Sequence, residues 1–200
     1  MMQNVRMDSN NMMFSYKDIR LEQRIDVIEA LDKLYLELKN QDKLPKTIIE
    51  IGMNNGGFSL VLHDSKISEQ AEIYCYDIVN RNFDQNLKGT KIKWFIKDIF
   101  SIENEVKNLI QREGTTLLFC DGGNKVKEFN TFAKYLKKGD IILAHDYHKD
   151  HEVFQKNKNI WAWWETKEAD IADCCNYNNL KPFMQEVFEK CVWASRIKES

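Results

Sequence analysis

The sequence predicts an α/β domain built on a doubly wound, mainly parallel sheet with helices on both faces. Three observations carry that expectation. Short apolar runs alternate with stretches of helical periodicity. The first run opens into a glycine loop, Gly52-x-x-x-Gly56-Gly57. An aspartate then follows the end of run after run, at Asp77, Asp98, Asp121 and Asp146.

In chain order, residues 1–14 are polar and irregular and read as a flexible arm, with 15–200 as the single domain. An amphipathic helix is expected over 16–39, because Leu21, Ile25, Ile28, Leu31, Tyr35 and Leu38 recur at steps of three and four. Residues 40–46, with Pro45, break that helix before the first strand at 47–51. A helix at 57–66 and strands at 72–76 and 91–96 follow. Ser101 is placed to cap a helix carrying Val106, Leu109 and Ile110 and closed by Gly114. A strand at 115–120, a helix through Val126, Phe129, Phe132 and Leu136, and a strand at 141–144 complete the alternation. Beyond it, 165–175 reads as helix, Pro182 opens a helix running to about residue 190, and 192–197 is a last strand. Right-handed crossovers make such a sheet doubly wound.

Composition narrows the function. The 200 residues are 43% hydrophobic, enough for one cored domain. A formal net charge of −2 gives no electrostatic footprint for nucleic acid. No apolar run is long enough for a membrane span, and no apolar leader opens the chain, so a cytoplasmic protein is expected. The five cysteines lack a Cys-x-x-Cys pair, which argues against a zinc ribbon or a disulfide framework. Cys75 and Cys120 read as core residues.

Strand, glycine loop and helix together make a nucleotide-cofactor layout. Glycines let backbone approach a ligand, and the helix start offers free N–H groups. A plain tight turn uses the same residues. Asp77 lies at the distance and strand end suited to a ribose, and Asp98-Ile99 at the place for an adenine or for a helix cap. His145-x-x-His148-x-x-His151, with Asp146 and Asp150, offers imidazole and carboxylate ligands of the kind that suit Zn2+, Fe2+ or Mn2+; a solvated loop is the alternative. Trp161, Trp163 and Trp164 would serve either core packing or a substrate cap.

Taken together, Glu50-Ile-Gly52-x-x-x-Gly56-Gly57 followed by Asp77, Asp98 and Asp121-Gly122 resembles the class I S-adenosylmethionine-dependent methyltransferases, over about residues 47–148. Asp121-Gly122-x-x-Lys125, then Gly139 through His145-Asp146, is similar to their metal-dependent small-molecule and sugar O-methyltransferases. That resemblance implies a Rossmann-like fold and methyl transfer to an oxygen of a small molecule or sugar. It places Glu50, Gly52, Asn54, Gly56, Gly57, Asp77, Asp98, Ile99 and Asp121 around S-adenosylmethionine. It also implies a divalent ion, Mg2+ or Mn2+, on Asp121 and Asp146; the sugar-type members often carry Glu-Asp where this chain has His145-Asp146, and His145 is the candidate third ligand. The sugar-type members carry a histidine base where this chain has Asn124, so Lys125, His145 and His148 are the candidates for that role. A homo-oligomer is left open. Competing expectations are a nicotinamide-dependent oxidoreductase, which would want a tighter glycine loop, and a methyltransferase-like binding module without catalysis.

Overall fold

A computed structural model describes residues 5–8, 12–81 and 83–200. In chain order its elements are β1 (Val5–Met7), β2 (Phe14–Tyr16), β3 (Ile19–Leu21), α1 (Asp26–Asn40), β4 (Pro45–Ile51), α2 (Gly57–Asp64), β5 (Glu72–Asp77), α3 (Phe83–Asn86), β6 (Lys93–Ile96), α4 (Glu103–Ile110), β7 (Thr115–Cys120) and α5 (Lys125–Phe132). They continue with β8 (Ile141–Ala144), β9 (Tyr147–His148), α6 (His151–Asn157), β10 (Thr166–Lys167), α7 (Glu168–Tyr177), β11 (Leu180–Pro182), α8 (Gln185–Phe188) and β12 (Ala194–Lys198).

The main sheet has seven strands in the order β11-β12-β8-β7-β4-β5-β6. Pairings from β8 through β6 are parallel, and β12 runs antiparallel to both of its neighbours. The mainly parallel, doubly wound sheet expected from the alternation is therefore present.

Because strand side chains alternate between faces, each central strand feeds two cores. Ile48, Leu117, Phe119, Ile141 and Leu143 pack on one side with Leu31, Leu34 and Leu38 of α1 and Val61 of α2. Ile49, Leu118, Cys120, Ile142 and Ala144 pack on the other with Val106 of α4, Phe129 of α5 and Ile171 of α7. Cys75 and Cys120 are buried and unpaired, as expected of core residues.

The N-terminal third departs from expectation. The helix read over 16–39 begins only at Asp26, because residues 14–21 form the β2–β3 hairpin. Lys17 and Asp18 both have positive φ, 51° and 65°, which is the two-residue turn that matches strand twist. The apolar residues of this stretch serve a hairpin as well as they would a helix, since Phe14, Tyr16 and Leu21 all reach the core. Part of the expected arm is also ordered against it: β1 pairs antiparallel with β2. Residues 1–4 and 9–11 of that arm lie outside the described residues. Near the other end, Pro182 closes β11 instead of opening a helix. Among the described residues no helix is long and apolar enough to cross a membrane.

Candidate active site

Chain order sends β4 to β5 and β6 on one side and to β7 and β8 on the other. The carboxyl ends of β4 and β7 are therefore the switch point where such sheets bind ligands. The backbone ladder continues one residue past the strands there. Gly52 N–H donates to Tyr76 O at 2.8 Å, Asp121 N–H to Ile51 O at 2.9 Å and His145 N–H to Cys120 O at 3.1 Å. This register sets Gly52, Asp121 and His145 side by side at one rim of the sheet.

A cavity of about 550 Å3 opens over that rim. Gly52 has φ +86°, and a Cβ built there would sit 2.2 Å from the Asp121 carbonyl oxygen. Only glycine lets the two loops approach so closely. Gly56, at φ +81°, caps α2 in the left-handed region, and no side chain caps the helix start. Asp77 holds the loop in place. Its Oδ2 accepts from Asn54 N–H at 2.8 Å and its Oδ1 from Val79 N–H at 2.9 Å, leaving a lone pair on each oxygen. Asp98 accepts from Phe100 N–H at 2.9 Å and caps the 3-10 turn Ile99–Ile102 that leads into α4; α4 itself starts without a side-chain cap, so Ser101 does not cap it. Asp98 and Ile99 also line the cavity, as do Asn54 and Gly57.

Glu50, expected among the cofactor residues, is not at the cavity. It alternates inward from β4, is 0% exposed, and accepts from the Ser59 hydroxyl in the layer between sheet and α2. Burial raises its carboxyl to about 7. His148 is buried on β9 against Phe154, and burial lowers its pKa. It does not line the cavity, so it is not placed with His145. His151 lies exposed at the start of α6.

The Asp121 and His145 end of the same rim holds a dense polar cluster. His145 Nδ1 lies 2.9 Å from Asp121 Oδ1 and 3.6 Å from Asp146 Oδ1. Its ring packs against Trp193 and Trp161, at centroid distances of 4.6 and 5.3 Å, and its buried Nε2 has no partner. Burial pushes the imidazole down, but the Asp121 and Asp146 charges and the bond to Asp121 outweigh it, so the pKa is raised. Asp146, at φ +53°, is held below the usual carboxylate range. Burial works against this, but the charges of His145 and Lys125 and the Trp161 hydrogen bond prevail.

Lys125 Nζ lies 2.8 Å from Glu165 Oε2, 3.0 Å from Asp146 Oδ2 and 3.8 Å from Asp121 Oδ1. Burial opposes its charge, but the two aspartates and the bonds to Glu165 and Asp146 raise its pKa further, so Lys125 is a permanent cation and not a base. Asn124 caps α5 by accepting from Lys127 N–H at 3.0 Å, a structural duty.

The expected metal residues do meet: Asp121, His145 and Asp146 offer ligand atoms all within 4.8 Å of one another. Yet protein donors already engage every carboxylate oxygen of the pair. Asp121 Oδ1 takes His145 Nδ1, and Oδ2 takes Gln23 Nε2 at 2.7 Å. Asp146 Oδ1 takes Trp161 Nε1 at 2.7 Å, and Oδ2 takes Lys125 Nζ. A lone pair remains on each oxygen, but the Lys125 ammonium already sits 3.0 Å from Asp146 Oδ2 and 3.8 Å from Asp121 Oδ1, so a divalent ion would have to displace it or lie against its charge, and the cluster as arranged does not fit one.

Gln23, Glu165 and Glu128 belong to the site and carried no motif. Gln23 bridges Trp193 Nε1, at 2.9 Å, to Asp121. Glu128 accepts from Gly122 N–H at 3.1 Å and Asn124 N–H at 3.2 Å, fixing the loop after β7. A spacing of Glu four residues after a helix cap is the one local signal that could have pointed to it. Trp161 is both core and cavity wall, and Trp163 lines the mouth.

No protein-family model matches the sequence, and no curated protein matches it. Solved structures do match. The CmcI apo-structure gives a TM-score of 0.61 at 12% identity, covering 93% of this chain and 76% of that one. CmcI with Mg and SAM gives 0.53 at 14% identity, covering 92% and 76%. The plantazolicin methyltransferase BpumL, in complex with a pentazolic desmethylPZN analog and SAH, gives 0.54 at 12% identity, covering 88% and 85%. The chain thus has the α/β fold that these proteins share.

Proposed function

We propose that this chain is an S-adenosylmethionine-dependent methyltransferase acting on an oxygen of a small molecule or sugar. The observation that carries the proposal is the junction of Gly52 with Asp121 at the switch point, with Asp77 tied to the same loop. SAM in the CmcI structure and SAH in the BpumL structure, two proteins of the same fold, support that choice of cofactor. The uncapped start of α2 suits the cofactor's carboxylate, and the free lone pairs of Asp77 suit ribose hydroxyls. A dinucleotide loop would be tighter than Gly52-x-x-x-Gly56-Gly57.

When bound, S-adenosylmethionine supplies an electrophilic methyl on a sulfonium: the acceptor oxygen forms the new C–O bond while the C–S bond breaks and leaves its electron pair on sulfur. The chain's residues position the acceptor and take its proton. His145 Nε2 is the nitrogen left for that proton, because Nδ1 is committed to Asp121 and Nε2 has no partner; Nε2 is buried here, so the acceptor reaches it only if the wall around the ring opens. Trp161 and Trp193 hold the ring in place and keep water from it.

Thermal shift and calorimetry test this. S-adenosylhomocysteine should stabilise the protein and NAD should not. Asp77→Ala should weaken S-adenosylhomocysteine by about 10- to 100-fold, the scale of a hydrogen bond to a charged group. Stabilisation by NAD and none by S-adenosylhomocysteine would reverse the assignment.

A further inference from the structure

We infer that the Lys125 ammonium is the resident cation of the Asp121–His145–Asp146 cluster, standing where a divalent ion would otherwise stand; this rests on the methyltransferase proposal for the reaction but not for the geometry.

An ammonium has three donors, and Lys125 spends all three inside the cluster: on Glu165 Oε2 at 2.8 Å, Asp146 Oδ2 at 3.0 Å and Gly122 O at 3.2 Å. Asp121 Oδ1, at 3.8 Å, adds a third carboxylate charge. The side chain is 8% exposed, and so buried a lysine is stable only when paired. Its place in the fold points the same way. Lys125 is the first residue of α5, directly after the Asn124 cap, where the helix dipole opposes a positive charge. The local helix therefore does not select a lysine there, and the three carboxylates do.

The rest of the cluster is arranged around that cation. Gln23, His145 and Trp161 donate to the remaining carboxylate oxygens, and a second cation on the lone pairs that are left would lie against the Lys125 charge. What Lys125 contributes is a fixed positive charge beside His145, in a low-dielectric pocket where the acceptor oxygen becomes negative. A fixed cation of this kind is insensitive to chelators.

Mn2+ titration followed by electron paramagnetic resonance tests the inference on the full chain. The chelator-treated native protein should leave the aqueous Mn2+ signal unchanged. Lys125→Ala, and Lys125→Gln should the alanine variant not fold, should gain Mn2+ affinity by at least about tenfold, because the repelling charge is gone. Native protein that binds Mn2+ stoichiometrically, with binding lost in Asp146→Asn, would overturn the inference. So would lysine variants as blind to Mn2+ as the native chain, because the cluster would then not be a cation position. S-adenosylhomocysteine binding measured on the same chelated samples separates the two ideas: its absence sinks the methyltransferase proposal and leaves the Mn2+ result to decide the role of Lys125.

Discussion

His145 donates through Nδ1 to Asp121 Oδ1 at 2.9 Å, across the gap between the ends of β8 and β7. An ionised carboxylate only accepts, so this bond fixes the proton on Nδ1 and leaves Nε2 as the basic nitrogen. Asp121 is itself held by Gln23, which Trp193 holds in turn. Asp121→Asn keeps the shape but offers an amide donor to Nδ1, favouring the tautomer protonated at Nε2. Turnover should fall on the order of 10²- to 10⁴-fold. S-adenosylhomocysteine affinity should change far less, and calorimetry beside a kcat measurement would show whether the two effects separate.

The raised pKa of His145 predicts opposite pH trends for activity and stability. A base works in its neutral form, so kcat/KM should climb with pH through a midpoint above histidine's ordinary 6.5. The sign for stability is reversed. A folded-state pKa raised above the unfolded value gives stability that is complete below 6.5 and is lost as pH rises through the folded value. A pH–rate profile set against thermal melts would test this, and an activity midpoint below 6.5 would rule out His145 as the base with this environment.

Gly52→Ala separates close approach from backbone strain. Its Cβ would meet the Asp121 carbonyl carbon at 2.5 Å and Gly122 Cα at 2.6 Å, both backbone atoms that cannot swing aside. The strain alone costs about 1–3 kcal/mol, and the clash adds to it. Gly139→Ala is the control: φ is +89° there, but nothing lies within 4 Å of the added carbon. Both variants should lower the melting temperature, Gly52→Ala by more. Only Gly52→Ala should also lose S-adenosylhomocysteine binding.

The sheet and its rim were legible because each depends on local signals. Apolar runs mark the strands, glycines mark the loop after β4, and Asp77, Asp98, Asp121 and Asp146 mark strand ends. The hairpin at 14–21 was not legible. Lys17 and Asp18 adopt the positive φ that Asn-Gly usually signals, and Leu21 fits a helical stripe as well as a strand. Gln23 and Glu165 were hidden for a different reason. Gln23 is 98 residues away from its partner Asp121, and Glu165 is 40 from Lys125, so only the tertiary fold brings them together. Glu50 shows the converse: its position in the motif was clear, but alternation along β4 turns it into the core. The same alternation explains its unusual titration.

Glu50 is fully buried with Oε1 unpartnered, and burial lifts its pKa from 4.5 to about 7. The folded value is raised, so its contribution to stability is complete below 4.5 and is lost as pH rises toward 7. Ionising a carboxylate there leaves a charge facing Cys75, whose thiol burial and that charge push well up. Glu50→Gln keeps an acceptor for Ser59 and cannot ionise. It should therefore be more stable than the native chain above pH 7, by up to about 3 kcal/mol from a shift of this size. The advantage should shrink as pH falls toward 4.5. Glu128, raised by burial to about 7, titrates in the same window, so the variant flattens the stability profile only in part. Denaturant melts of both proteins across that range would decide it: parallel profiles would mean that Glu50 ionises elsewhere.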